Sequence, residues 1–204
     1  MAVDRKRTLD DYRATQGAFR LVEVPARRYL MVDGHGDPNT SPLYTDAISA
    51  LFPVAYALKS AVRRETGADD VVMPLEALWW ADDMSAFTTQ REKDRWRWTV
   101  MILVSDTVAP AMFDSALSVV AAKKRLARLG DVRLEVLAEG TCVQTLHVGS
   151  YDDEAAVLAD MHEREIPVRG LRPTGRHHEI YLSDARRVSP DRLRTILRQP
   201  VSPR

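Results

Sequence analysis

The chain of 204 residues has one cysteine, Cys142, so it can form no intrachain disulfide, which argues against a disulfide-stapled secreted module. Cys142 lies in the apolar stretch T-C-V-Q-T-L and reads as a small core residue rather than a nucleophile. Net charge is missing as well. Lys plus Arg number 29 and Asp plus Glu number 29, which leaves no pull toward polyanions or acidic membranes and argues against nucleic-acid binding by charge alone. No uncharged segment approaches the length needed to span a bilayer. The start, M-A-V-D-R-K-R-T-L-D-D-Y, has no apolar run after its basic residues, so no signal peptide is expected and cytoplasm is the expected compartment. Also lacking are a G-x-S-x-G elbow, H-E-x-x-H, a Walker loop and a dinucleotide fingerprint. His35 sits in a loop without neighbours at metal-ligand spacing, and neither a metal nor a cofactor is expected.

What is present describes an ordinary globule, with 45% AVILMFWYC and 28% charged residues in 23.0 kDa. That length suits one domain, or two fused half-domains. All four tryptophans fall between Trp79 and Trp98, in V-V-M-P-L-E-A-L-W-W and W-R-W-T-V-M-I-L-V. In an extended strand Trp96, Trp98 and Val100 share one face, opposite Arg95, Arg97 and Thr99. Such a row suits the wall of a pocket for a flat apolar ligand. The alternative is a plug at the end of a sheet, with the indole N–H groups satisfied at its rim.

Along the chain, residues 1–18 read as a polar arm or short lead-in helix, followed by a strand centred on R-Y-L-M-V and a turn-rich D-G-H-G-D-P-N-T-S-P. Ser41-Pro42 opens a helix with Tyr44, Ile48, Leu51, Ala55, Leu58 and Val62 on one face, and Gly67 stops it. Pro53 is expected to kink or divide that helix. Strands are expected at Val71 to Trp80 and Trp96 to Val104. The long polar connection between them has the character of a lid or binding loop. A helix from Val108 to Leu129 ends in a basic run before Gly130. Val132 to Ala138 and Thr141 to Val148 read as a hairpin about E-G, Asp152 to Glu165 as a helix, and G-R-H-H-E-I-Y-L-S as a strand. Ser189-Pro190-Asp191 reads as the start of a terminal helix. Two strand–helix–strand units are visible, which predicts an α+β arrangement with helices packed on antiparallel sheet rather than a doubly wound parallel fold.

Two acids stand in otherwise apolar or aromatic strands. Glu76 shares a face with Leu78 and Trp80, while Glu179 shares one with His177 and Tyr181. Burying either costs free energy unless it is paired or protonated, so each is a structural acid matched with arginine or a pocket acid able to exchange a proton near neutral pH. Tyr44, Tyr151 and Tyr181 offer ring faces with hydroxyl ends. His177 and His178 point to opposite faces and make no adjacent metal pair.

At P-L-E-A-L-W-W, D-R-W-R-W-T-V-M-I-L and R-H-H-E-I-Y-L-S-D-A-R-R, continuing through D-R-L-R-T-I-L-R-Q-P-V, the chain resembles GyrI-like small-molecule-binding proteins of the stand-alone branch, from about Phe19 to Val201. The resemblance implies duplicated strand–helix–strand–strand units, with pseudo-symmetric halves over about 19–105 and 131–204 joined by a helix, a single domain over 19–204, and a ligand cleft between the halves. Relatives include effector-binding domains of multidrug-responsive regulators, and some stand-alone relatives hydrolyse cyclopropane-containing, DNA-alkylating natural products. Only about eighteen residues precede the matched segment, so direct DNA binding is not expected. The implied ligand is a planar aromatic or cyclopropanoid small molecule, either hydrolysed without a cofactor as a detoxifying reaction or simply sequestered. The resemblance places Glu179 and Tyr181 in the segment of the family's acidic pocket position and Trp80, Trp96 and Trp98 in its aromatic signatures. Glu179 and Tyr181 are therefore the candidate catalytic pair. Tyr44, Glu76, Trp80, Trp96, Trp98, Tyr151 and His177 are the candidate ligand-binding residues. The oligomeric state is left open.

Overall fold

The strands of this chain form a sheet whose two ends are stitched together. The computed structural model describes residues 3–83 and 92–204. In it β1 (Arg20–Val24) and β2 (Arg27–His35) are halves of one bent strand, and so are β5 (Arg133–Leu137) and β6 (Gly140–Val148). β1 pairs antiparallel with β6 and β2 with β5 in one continuous register, Val24 facing Gly140 and Arg27 facing Leu137. With β3 (Leu75–Trp80), β4 (Arg97–Leu103), β8 (His177–Tyr181) and β9 (Arg194–Pro203), the order is β1-β6-β9-β8-β3-β4-β2-β5. Because β1 runs on into β2 and β5 into β6, the sheet has to curl. A short β7 (Leu171–Pro173) pairs with β9.

Each half repeats strand, helix, strand, strand, as an α+β fold with helices on antiparallel sheet. In the first half the helix is α1 (Pro42–Thr66), which buries Ala47, Ala50, Leu51, Val54, Ala55, Leu58, Ala61 and Val62. Pro42 sits at its start, and Gly67 ends it in the left-handed region that a residue without Cβ adopts at little cost. Pro53 lies inside α1 without dividing it. In the second half the helix is α3 (Ala155–Ala159), continued by a π-helical turn Asp160–Glu165 and α4 (Ile166–Val168). α2 (Pro110–Lys123) connects the halves and is shorter than the expected 108–129. Among the described residues no helix is long and apolar enough to cross a membrane.

Two local expectations fail for physical reasons. Residues 132–148 do not fold back as a hairpin: Gly140, at φ 66°, bends one strand whose halves find separate partners in β2 and β1. The segment after Ser189 forms only a 3-10 turn, Pro190–Arg192, before β9. Residues Thr195 to Val201 are all buried, and a strand covered on both faces loses the alternation that marks a half-exposed one, which left Leu193, Ile196 and Leu197 to mimic a helical stripe. The strand expected from Val71 begins at Leu75. Much of the expected lid connection, residues 84–91, lies outside the described residues.

The sheet face turned away from α1 encloses charge. The segment expected as a polar arm or short lead-in helix makes two 3-10 turns and buries Asp11 and Tyr12. The Tyr12 hydroxyl donates to Glu76. His178 lies between two carboxylates, Nε2 at 2.9 Å from Glu76 and Nδ1 at 3.0 Å from Glu139. Arg198 donates to Glu139 at 2.9 Å and to Gln144 at 3.0 Å, and Arg27 pairs with Asp11 at 2.7 Å. The carboxylates of Asp11, Glu76 and Glu139 are balanced by Arg27, Arg198 and His178 only when that imidazole is protonated. Burial disfavours the charged ring, but Glu139 and Glu76 outweigh it and hold His178 above the ordinary histidine value. Burial likewise opposes ionised Glu139, yet His178 and Arg198 bring it down to about 2.

Removing one partner from such a set leaves buried charge uncompensated. Glu139→Gln is expected to cost roughly 3–5 kcal/mol at neutral pH, measured by urea unfolding. The folded-state pKa of Glu139 is depressed, so its contribution is present above the unfolded value near 4.5 and is lost as pH falls toward about 2. The gap between wild type and variant should therefore narrow across that interval, and a constant gap would refute the assignment.

Candidate functional site

β3 and β8 pair at the centre of the curled sheet, with Ala77 facing Glu179 and Trp79 facing His177. Partners across an antiparallel pair share a face, so this register puts Trp79 on the same side as Glu179 and Tyr181. Over that side runs a cleft of about 990 Å³. α1 contributes Tyr44, Ile48, Phe52 and Tyr56, one every four residues along a single helical face. Tyr151, Glu154 and Leu158 come from the second half, and Trp96 from the residues before β4.

The rings are arranged edge to face as well as stacked. Tyr44 stacks on Trp79 with centroids 6.0 Å apart and meets Trp98 edge-on at 5.0 Å. Trp79 meets Trp96 edge-on at 5.6 Å, and Tyr151 meets Tyr181 at 5.5 Å. Through them runs a directed chain of hydrogen bonds: the Trp79 indole N–H donates to the Tyr181 oxygen at 3.1 Å, and the Tyr181 O–H donates to Glu179 Oε2 at 2.7 Å. The Tyr44 hydroxyl is also engaged with that of Tyr181. Burial, then the Glu179 carboxylate, pushes Tyr181 well above the ordinary phenol value, and the same two causes raise Tyr44. Tyr151 is raised to about 12 by burial and by Glu154 and Glu179. All three phenols are therefore protonated at neutral pH. Tyr181 spends its one proton on Glu179, so among these three Tyr151, which is 36% exposed, is the hydroxyl best placed to serve a ligand.

Glu179, Tyr181, Tyr44, Trp96 and Tyr151 are thus brought together around one space. The other expected residues lie elsewhere. Trp80 points to the opposite sheet face, where the Arg176 guanidinium covers its ring at 3.6 Å. Trp98 is fully buried behind Tyr44, its ring occupying the space above Gly34, where an added Cβ would lie 2.1 Å from Cη2. Glu76 belongs to the His178 charge set on the far face. His177 is buried beside Glu179, with Nε2 at 3.7 Å from Oε1, and does not line the cleft. The parity reading joined Trp80 with Glu76 correctly, but which face looked onto the cleft depended on the β3–β8 register. Trp79, counted in the tryptophan cluster, and Glu154 are not among the expected site residues. Trp79 needed that register; Glu154 follows Tyr151 by three residues on one 3-10 turn, a spacing that could have drawn attention to it. Among the described residues, no group of three or more His, Cys, Asp or Glu side chains could hold a metal ion.

Residues 18–202 match the family described as a GyrI-like small molecule binding domain. An uncharacterized conserved protein from Listeria innocua is 36% identical, with 98% of this chain and 100% of that one covered at a TM-score of 0.88. Two proteins described as hydrolases from the same organism are similarly close. One is 34% identical over 98% and 100% of the two chains at 0.84, and the other 32% identical over 99% and 100% at 0.86. No curated protein matches the chain.

The geometry separates the tryptophans by their expected response to ligand. An aromatic compound seated in the cleft should quench indole fluorescence saturably; Trp79→Phe should remove a substantial part of that change, Trp96 keeping the remainder, and Trp80→Phe leave it intact. Equal loss in both variants would show that the cleft is not where the ligand sits.

Proposed function

The chain belongs to the GyrI-like small-molecule-binding domain family, and on that premise we propose that it binds planar aromatic molecules in the cleft and opens cyclopropane-containing electrophiles by adding water. The observation that carries this reading is the carboxylate of Glu179, set into an aromatic cleft and held by the hydroxyl of Tyr181, which is itself oriented by Trp79. A planar ligand lies against Trp79, Trp96 and Tyr44. Glu179 takes a proton from water as the water oxygen bonds to a cyclopropane carbon. The ring carbon–carbon bond breaks, and its electron pair passes into the conjugated carbonyl, where a hydrogen-bond donor stabilises the developing charge until that oxygen takes a proton from solvent, completing the addition of water. Tyr181 positions the base, since its proton faces Glu179, and Tyr151 is assigned as the donor to the carbonyl. No metal, nucleotide or other cofactor is required by these steps. The similar Listeria proteins described as hydrolases support an enzymatic reading, and removal of reactive xenobiotics is the role that fits such a reaction.

Glu179→Gln keeps the side chain's shape and hydrogen-bonding ability while removing its basicity. Incubation with an electrophilic cyclopropane, followed by mass spectrometry of the ring-opened product, should show kcat lower by about 10²–10⁴. Fluorescence-measured affinity should stay within a few-fold. Saturable binding with turnover equal to buffer in the wild type across diverse cyclopropanes would reduce the function to sequestration.

A further inference from the structure

A base that takes a proton from water must return it to solvent before the next turnover. Of the two carboxylate oxygens of Glu179, Oε2 accepts from Tyr181 on the cleft side and the other is turned toward His177. Oε1 is 3.7 Å from Nε2 of His177, which shares the same strand face and has no solvent exposure. Behind His177 stands His162, with ring centroids 6.2 Å apart. His162 comes from the π-helical turn Asp160–Glu165, in a segment where Met161 and Ile166, five residues apart, are both fully buried. An α-helix would not place that pair on one line so directly; widening the turn does, and it brings His162 in beside Met161. Nε2 of His162 is buried with no hydrogen-bond partner. The residue as a whole is half-buried, followed by exposed Glu163 and Arg164.

We propose that His177 and His162 form a proton path from Glu179 to solvent, running beneath the π-helical turn on the side away from the bound ligand. The proposal rests on the hydrolytic reading of the cleft and adds to it the route by which the base is regenerated. Once the product has formed, protonated Glu179 gives its proton to one nitrogen of His177. His177 releases the proton on its other nitrogen toward His162, and His162 likewise accepts at one nitrogen and releases from the other to water, so that one proton leaves for each one taken. Both rings are then neutral in the opposite tautomer, and a turn of each ring restores the accepting face before the next cycle. Neither gap is a hydrogen bond as it stands, but each is within the span of a small ring rotation or one intervening water. Burial, with lesser contributions from His162 and His178, holds His177 well below the ordinary histidine value against an opposing pull from Glu139. Burial lowers His162 too, against Glu163. Both rings are therefore neutral at rest, each with one N–H and one lone pair, which is the form that accepts at one atom and donates at the other.

Two measurements on the full chain decide the matter. With an electrophilic cyclopropane in weak buffer, His177→Phe and His162→Phe should each lower kcat by about tenfold or more while KM stays within about twofold, and imidazole added to the buffer should restore the rate. Phenylalanine keeps the ring volume, and His162→Leu repeats the test at the half-buried position if a buried substitution disturbs folding. An unchanged kcat, or a loss that imidazole does not restore, overturns the path. The second measurement needs no turnover: exchange of the His177 ring N–H with water, followed by nitrogen-15 NMR, should slow several-fold in His162→Phe. An unchanged exchange rate overturns the path even where hydrolysis stands. If the wild type turns over no cyclopropane, the hydrolytic reading fails by itself, and slowed exchange still upholds the path.

Discussion

The position of Glu179 depends on how the ring of His178 is held. The two residues are neighbours on β8 and point to opposite faces of the sheet, so what holds one fixes the other. On the inner face, His178 is gripped by Glu76 from β3 and by Glu139 from the bend between β5 and β6, with Arg198 of β9 bracing Glu139. A one-residue slip of β8 would exchange its faces, put Glu179 among carboxylates and expose His178 to an aromatic cleft. The charged set thus specifies register, a use of buried ion pairs distinct from raw stabilisation.

Much of this was legible from the residues. Alternation in W-R-W-T-V and H-H-E-I-Y marks strands and the faces they share, helical spacing from Tyr44 to Val62 marks α1, and the apolar surroundings of Glu179 mark an acid with something to do. What stayed hidden was pairing. Nothing local says that Trp79 faces His177, or that residues 20–35 and 133–148 are two bent strands zipped along one register. The E-G sequence encodes a bend as readily as a turn, and only the distant partners decide between them. The same limitation governed the acids: Glu76 and Glu179 look equivalent in sequence, and the arm that brings Tyr12 to Glu76 gives one of them its structural role.

Within the cleft, the direction of hydrogen bonds narrows the chemistry more than the inventory of side chains does. An indole N–H can only donate, so the oxygen of Tyr181 accepts from Trp79 and its proton turns to the carboxylate. Here Tyr181 donates to Oε2 of Glu179, while Oε1 lies on the side of His177. Aromatic residues therefore do two things at once: they line the cleft with apolar surface and supply the polar contacts that a charged group needs in such surroundings.

The contact between Gly34 and Trp98 sets a boundary on how this scaffold can diversify. An indole occupying the volume of a side chain missing from the position directly opposite it on the neighbouring strand means that positions 34 and 98 act as one lock, with the void in one strand cut to the key of its neighbour. Ligand preference can drift by exchanging Tyr44, Phe52 or Tyr56 on the outer helix, whereas the wall behind Tyr44 changes only if both halves of that lock are recut together. New specificities on this frame should accordingly arise from the helical side of the cleft, with the sheet serving as its unvarying anvil.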